Sequence, residues 1–199
     1  MAIHPDGSRL YYQSNRPVDH SESTYMWNIW YVDRIGDGWG EPHSIGRPIN
    51  GRNHVSGPAV TMDGTMYYTL MTLGGLSEIY RSKYINGVYQ EPERLSNNIN
   101  TVQQQFDSYI APDESYLIFC AYQRSDSYGS TDLYISFRDE NDNWSNSINM
   151  GPTINTVEGE GSATITPDGR YIFYGRYNNA QQHGLDVYWF DAQFLNNFR

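Results

Sequence analysis

The chain has 199 residues, and its 13 basic against 23 acidic side chains give a formal net charge of -10. This charge repels phosphate backbones, so we expect no nucleic-acid partner. Strand-favouring aromatics are abundant, with 18 Tyr, 7 Phe and 5 Trp, while 18 Gly and 9 Pro supply turn chemistry, so the composition predicts a single all-β domain.

The N-terminal segment, residues 1–6, has neither the basic nor the apolar region of a secretory signal, and no apolar run reaches membrane-spanning length. We therefore expect no membrane span, and the residues leave the compartment open. Cys120 is the only cysteine, which excludes an intramolecular disulfide. Because Cys120 follows the apolar run 116–119, we expect it to be a buried core residue.

A tight-turn motif recurs four times along the chain. Its aspartates are 57, 50 and 55 residues apart, and each motif precedes an aromatic-rich run. Pro presets φ and Gly accepts a positive φ, so the motif predicts a turn between two strands, with the Asp as a scaffold residue. The four copies are Pro5-Asp6-Gly7, Met62-Asp63-Gly64, Pro112-Asp113-Glu114 and Pro167-Asp168-Gly169.

Further columns follow each turn at matching places. One predicts the third strand of each unit and reads Asn28-Ile29-Trp30, Glu78-Ile79-Tyr80, Asp132-Leu133-Tyr134 and Asp186-Val187-Tyr188. Another closes each unit and reads Pro48-Ile49-Asn50, Asn98-Ile99-Asn100 and Thr153-Ile154-Asn155. Hairpin signals such as Asn86-Gly87 lie between the two columns. Each unit is therefore predicted to be a four-stranded antiparallel meander.

A single meander exposes two apolar faces and needs a neighbour on each side, which radial stacking of blades provides. The repeat thus predicts a β-propeller of four-stranded antiparallel blades. About three and a half blades are present, because the chain begins after the first strand of blade 1 and ends after the third strand of blade 4. The predicted bounds are 1–54, 55–103, 104–158 and a partial blade at 159–199.

Two missing strands would leave two blade edges unpaired. We expect an open fragment of a larger propeller, whose edges favour self-association, because unpaired strands accept another chain. Two alternatives stay open. Oligomerisation would close the ring, or residues 1–4 and the tail 194–199 would complete it irregularly.

At these columns the chain resembles the WD40-like β-propeller repeats with a Pro-Asp-Gly signature, which occur in TolB-like propellers of the bacterial envelope. Segments 74–80 and 129–136 are similar to that family's third strand with its preceding Gly-rich loop, and the resemblance extends from His4 to about Ala192. It implies a propeller fold, an envelope-associated binding role, and a periplasmic or cell-surface location.

The loops between the second and third strands of successive blades should gather on one face of a propeller. Variable loops on a rigid scaffold commonly carry binding sites, and their aromatic and Arg side chains are types enriched at interface hot spots. We therefore predict a non-enzymatic binding module with a protein or glycan partner and no cofactor. The predicted binding residues are Arg16, Tyr25, Trp27, Arg124, Tyr128, Arg176 and Tyr177.

A carbohydrate-active lyase or hydrolase is the alternative. Glu158 and Glu160 form a close carboxylate pair which, with His54, could serve as a site at the channel mouth, since paired carboxylates cleave glycosidic bonds. The five histidines show no metal-ligand spacing, so no metal site is expected.

Overall fold

The computed structural model describes residues 1–17, 26–51, 53–72, 74–178 and 184–199. Four antiparallel sheets are arranged as a four-blade β-propeller. Each sheet is one copy of the sequence repeat, so the turn motifs and strand columns mark its strands in order.

Blade 1 has a short innermost strand, whereas the sequence predicted that the first strand of this blade is missing. Its strands are β1 (Ala2–Ile3), β2 (Arg9–Ser14), β3 (Asn28–Ile35), β4 (Gly38–Trp39) and β5 (His43–Ser44). Strand β1 pairs antiparallel with β2, and both β4 and β5 pair with β3. The N-terminal residues therefore complete this blade with a two-residue strand.

Blades 2 and 3 are full four-stranded sheets. Blade 2 consists of β6 (His54–Val60), β7 (Met66–Met71), β8 (Ser77–Ser82) and β11 (Glu93–Arg94). A separate hairpin of β9 (Tyr84–Ile85) and β10 (Val88–Tyr89) lies between its last two strands. Blade 3 consists of β12 (Gln105–Ile110), β13 (Tyr116–Tyr122), β14 (Thr131–Phe137) and β15 (Ile148–Asn149).

Blade 4 has three strands, β16 (Glu160–Ile165), β17 (Tyr171–Asn178) and β18 (Gly184–Asp191). A 3-10 helix, Ala192–Phe198, follows β18 and is capped by the Asp191 carboxylate. Leu195 of this helix is buried in the hydrophobic cluster between blades 3 and 4. The tail therefore packs beside blade 4 and adds no strand to it.

In the part of the chain that the structure describes, the core consists of three hydrophobic clusters, each between two consecutive blades. Tyr11 and Ile29 of blade 1 meet Val55 and Met66 of blade 2. Blades 2 and 3 meet through a cluster that includes Tyr67, Ile79, Leu117 and Phe119, and blades 3 and 4 through Ile118, Leu133, Ile172 and Tyr174. Cys120 is fully buried in the last cluster, and burial raises the pKa of its thiol.

The turn aspartates have the same role in every blade. Each carboxylate accepts a hydrogen bond from the backbone N–H two residues further on, at 2.8 to 3.1 Å. Hydrogen bonds from Ser8 lower the pKa of Asp6 to about 2. The four residues that hold the turn in this way are Asp6, Asp63, Asp113 and Asp168.

A buried asparagine ties the closing segment of each of blades 1 to 3 to its third strand. Asn155 accepts a hydrogen bond from Leu133 N and donates one to Leu133 O, both at 2.9 Å. Its amide thus pairs with both backbone groups of one strand residue, as a neighbouring strand would. The same pair of bonds, which we call the Asn clasp, joins Asn50 to Ile29 and Asn100 to Ile79 at 2.8 to 3.1 Å.

An ion-pair network joins blades 2 and 3 at the hairpin ends. The Arg81 side chain is 7% exposed and donates to Asp142 at 2.6 Å and to Glu93 at 2.7 Å. Arg138 binds the same Asp142 at 2.7 Å. Hydrogen bonds from Arg81 hold the pKa of Asp142 well below its usual range, and Arg138 adds to the effect.

Removing one Asn clasp should destabilise the propeller. Asn155→Ala leaves the buried N–H of Leu133 unpaired, while Leu133 O keeps its hydrogen bond from Met150 N at 3.1 Å, so we expect the free energy of unfolding in urea to fall by about 1 to 3 kcal/mol. Asn141→Ala, at an exposed position in a hairpin turn, is the control and should change it by less than about 0.5 kcal/mol. A loss below that value for Asn155→Ala would contradict the role of the clasp.

The Asp142 network should make stability depend on pH in one direction. A carboxyl with a depressed pKa contributes fully above its unfolded pKa of about 4, and the contribution is lost as pH falls towards the folded pKa. Asp142→Asn should therefore lower the free energy of unfolding by about 1 kcal/mol at pH 7, a value limited by partial solvent exposure. The difference should shrink below about pH 4. Equal differences at pH 7 and pH 3 would refute this account.

Candidate functional site

The loops between the second and third strands lie at the same end of the propeller as the linkers between blades. Val55 donates its N–H to Trp27 O at 2.9 Å, which ties the first loop to the entry of blade 2. Tyr122 donates to Gln104 O at 3.0 Å, and Tyr177 donates to Gly159 O at 2.9 Å. We call this end, with its loops and linkers, the loop face.

Tyr128 and Tyr177 flank one linker, residues 156–159, which leads into blade 4. A Cβ on Gly129 would lie 1.8 Å from Glu158 O, which is too close for any side chain. The loop that carries Tyr128 therefore packs directly against the linker backbone. A Cβ on Gly159 would lie 3.2 Å from Cδ2 of Tyr177.

The residues around this linker are well exposed. Tyr128 is 49% exposed, Tyr177 is 53% exposed, and Val157 on the linker itself is 83% exposed. We call these three residues the linker patch. All three are carried by backbone that is hydrogen-bonded within blade 3, within blade 4 or in the linker between them.

The loop that carries Tyr128 is held by a buried carboxylate. Asp132 is fully buried and accepts hydrogen bonds from Tyr128 N at 2.8 Å and from Gly129 N at 3.0 Å. It also accepts one from the Asn149 side chain at 2.7 Å. Because Asp132 is the second residue of β14, the loop conformation is fixed by the strand that follows it.

Trp27 and Arg16 lie on the loop face at blade 1. Trp27 donates its backbone N–H to His54 Nδ1 at 3.1 Å, and its side chain is 39% exposed. The Arg16 guanidinium lies 5.2 Å from the centre of the Trp30 ring and is exposed. Tyr25, the other binding residue predicted in this loop, lies outside the described residues.

Arg124 and Arg176 are held by internal contacts. The Arg124 guanidinium stacks 4.0 Å from the centre of the Tyr134 ring and donates to Ser147 at 2.6 Å. Arg176 lies 4.3 Å from the Tyr188 ring and donates to Glu160 at 2.8 Å. Since Tyr134 and Tyr188 are equivalent in the repeat, these contacts form part of the blade scaffold.

Glu160 is hydrogen-bonded to the linker and does not face solvent. Its carboxylate is fully buried, and it accepts hydrogen bonds from Thr156 N at 3.0 Å and from Thr156 Oγ1 at 2.6 Å, besides that from Arg176. Gln105, at the equivalent place in blade 3, accepts a hydrogen bond from Val102 N at 2.6 Å in the same way. Glu158 is half-buried nearby, and His54 lies at the entry of a different blade.

Among the described residues, no group of three or more His, Cys, Asp or Glu side chains could hold a metal ion. Within the same residues, no helix is both long and apolar enough to span a membrane.

Comparisons with solved structures identify the fold. A TolB protein from Agrobacterium tumefaciens superposes with a TM-score of 0.62 at 15% identity, covering 95% of this chain and 59% of its own. TolB from Acinetobacter baumannii gives a TM-score of 0.60 at 18% identity, covering 96% and 40%. The chain has a TolB-like β-propeller fold. It spans less than two thirds of the length of either TolB structure.

The same fold also occurs in an enzyme. An α-L-arabinofuranosidase from Lactobacillus brevis matches the TolB-like chain with a TM-score of 0.58 at 13% identity, covering 92% of this chain and 68% of its own. No family model matches the sequence, and no curated protein matches it. At these identities the comparisons establish the architecture. The activity has to be argued from the residues of the site.

The linker patch was only partly visible in the sequence. Tyr128 and Tyr177 were predicted, because aromatic residues in the loops of a propeller are binding candidates. Val157 carries no comparable signal, since a single Val beside a turn has no periodicity. Gly129 could have been noted, because the glycine that permits close contact with the linker lies in the Gly-rich loop.

Removing the Asp132 carboxylate should release the Tyr128 loop. In Asp132→Ala the N–H groups of residues 128 and 129 lose their acceptor, so we expect trypsin to cleave after Arg124 at least about tenfold faster under native conditions. Cleavage after Arg170, which lies in an exposed turn, is the internal reference and should be unchanged. Equal rates after Arg124 in both proteins would show that Asp132 does not order the loop.

Proposed function

We propose that this chain is a non-enzymatic β-propeller binding module that presents its loop face to a partner protein. The observation that carries the proposal is the linker patch, in which exposed Tyr128, Val157 and Tyr177 surround one linker. Tyr is among the residue types that dominate interface hot spots, and apolar surface flanked by polar groups is typical of protein contacts.

The backbone beneath the patch supports binding with little loss of conformational entropy. The Tyr128 loop is held by buried Asp132, and the linker is held by buried Glu160. A surface ordered before binding loses less entropy on association than a mobile one. Trp27, whose backbone N–H is bonded to His54, adds an exposed aromatic side chain to the loop face at blade 1.

The contacts of Glu160 favour binding over glycoside cleavage. A general acid needs to reach the glycosidic oxygen within hydrogen-bonding distance. Both Glu160 oxygens already accept hydrogen bonds, and the side chain is fully buried. We therefore assign this carboxylate a structural role, in which Arg176 and Thr156 are its partners.

The binding proposal predicts a capture experiment. The immobilised chain is exposed to bacterial envelope extract, chosen because of the TolB-like fold, and bound proteins are identified by mass spectrometry. Tyr128→Ala/Val157→Ala should lower the recovery of a specific partner by about tenfold or more, because hot-spot truncation costs about 2 kcal/mol.

Ile35→Ala/Trp39→Ala is the matched control, since these exposed residues, 69% and 46% exposed, lie at the opposite end of blade 1. Equal recovery with both double variants would refute the role of the linker patch. Recovery of glycan but no protein would reassign the partner class. Turnover of aryl glycosides by the parent chain, abolished in folded Glu160→Gln, would establish the enzymatic alternative instead.

A further inference from the structure

A cavity lies between the outermost strand of blade 2 and the hairpin of blade 3 that precedes β15. Its volume is about 240 Å³, and it shares no residue with the linker patch. Sites for drug-sized ligands measure roughly 300 to 1,000 Å³, so this cavity suits a smaller ligand. We call it the rim cavity. Its charged and hydroxyl-bearing lining residues, with one tryptophan, are Arg81, Glu93, Arg94, Ser96, Asp142 and Trp144.

Two buried N–H groups of residues that line the rim cavity have no hydrogen-bond acceptor among the described residues. One is Nε of Arg81, whose side chain is 7% exposed, and the other is the indole Nε1 of Trp144, which is 6% exposed. A buried donor that stays unpaired destabilises the folded chain. These two groups therefore favour a ligand that supplies acceptor oxygens.

The repeat does not require an arginine at position 81. The equivalent places in the third strands of the other blades hold Tyr31, Ile135 and Trp189. Arg81 is thus specific to blade 2, unlike the scaffold aromatics that recur in every unit. A buried charge at a place where other blades have an uncharged side chain indicates a role particular to this cavity.

The charges in the wall favour a neutral ligand with hydroxyl groups. Arg81 and Arg94 balance Glu93 and Asp142, so the formal charge of the lining residues is zero. Nε and Nη2 share one edge of the Arg81 guanidinium, and Nη2 donates to Glu93 at 2.7 Å. An anion bound at Nε would be repelled by the adjacent carboxylate. A hydroxyl can accept from Nε–H and donate to that carboxylate at the same time.

We propose that the rim cavity binds one ring of a neutral sugar. Its hydroxyl groups accept hydrogen bonds from Arg81 Nε and Trp144 Nε1 and donate to Glu93. Neighbouring hydroxyls on a sugar ring present several donors and acceptors together, which matches a wall that carries both. Ser96 and Asn98 add a hydroxyl and an amide to the same wall. This site goes beyond the protein-binding role of the linker patch and does not depend on it.

Indole N–H signals in a proton–nitrogen NMR spectrum test the proposal on the parent chain. D-glucose, D-galactose and D-mannose are titrated separately to about 50 mM. With at least one of them the Trp144 signal, assigned by its loss in Trp144→Phe, should shift and saturate. The expected dissociation constant is about 1 to 10 mM, as for a ligand of about a dozen heavy atoms. The signals of exposed Trp39 and Trp189 should not move.

Two variants test the proposed contacts, with the Arg81 Nε–H signal as the readout. Trp144→Phe keeps an aromatic ring against Tyr67 and removes the indole donor, so the dissociation constant should rise at least about threefold. Trp39→Phe, at the equivalent place in blade 1, is its control and should change the constant less than about twofold.

Glu93→Gln replaces the carboxylate by a weaker acceptor and should also raise the constant at least about threefold. Exposed Glu91→Gln, two residues away and outside the cavity, is its control. Unshifted Trp144 and Arg81 signals with all three sugars would overturn the proposal. A response to sodium acetate without a response to any sugar would overturn it by showing an anion site. Equal sugar affinity in the parent, Trp144→Phe and Glu93→Gln would also overturn it, and the partner-capture result has no bearing on these outcomes.

Discussion

Stacking of blades is the constraint on which the rest of this structure depends. A four-stranded meander has two apolar faces, and burying these faces against neighbouring blades stabilises the stack. Three clusters do this between consecutive blades, and burial of side chains such as Ile79 and Leu133 contributes roughly 1.5 to 3 kcal/mol each. The stacked blades form a rigid scaffold that fixes the positions of the loops, and binding loops depend on such a scaffold.

Polar residues in the repeat form hydrogen bonds with backbone groups that become buried when the blades stack. A closing segment that only approached the third strand would leave buried backbone N–H groups of that strand unpaired. Asn50, Asn100 and Asn155 satisfy those groups with one side chain per blade. Glu160 and Gln105 do the same for the linkers that enter blades 4 and 3. A carboxylate such as Glu160, which is a candidate catalytic residue from the sequence alone, thus has a structural role in the repeat.

Much of the fold could be predicted from the sequence because its signals recur. The spacing of the Pro-Asp turns and the third-strand columns predicted four antiparallel sheets in the right order, and the propeller is confirmed. The two-residue strand Ala2–Ile3 had no pattern, since two residues cannot show alternation. The helical turn at Ala192–Phe198 was missed for a related reason, because its stability comes from packing of Leu195 and not from local propensity.

The candidate site was less accessible than the fold. Sequence reasoning could place Tyr128, Tyr177 and Trp27 on one end of the propeller, because equivalent loops share a face. It could not distinguish an exposed arginine from one stacked on a ring, as Arg124 is on Tyr134. That difference depends on which side chains meet across strands. Tyr25 stays a prediction, as does the binding role of the linker patch.

Amide hydrogen exchange at four equivalent residues tests the central claim most directly, namely that the Asn clasp and the next blade together close each unit. The backbone N–H groups of Ile29, Ile79 and Leu133 are bonded to clasp asparagines, whereas Val187 lies on the last strand of blade 4. At a concentration that keeps the chain monomeric, we predict that the first three exchange at least about 100-fold more slowly than Val187. Equal protection at all four positions would contradict the account.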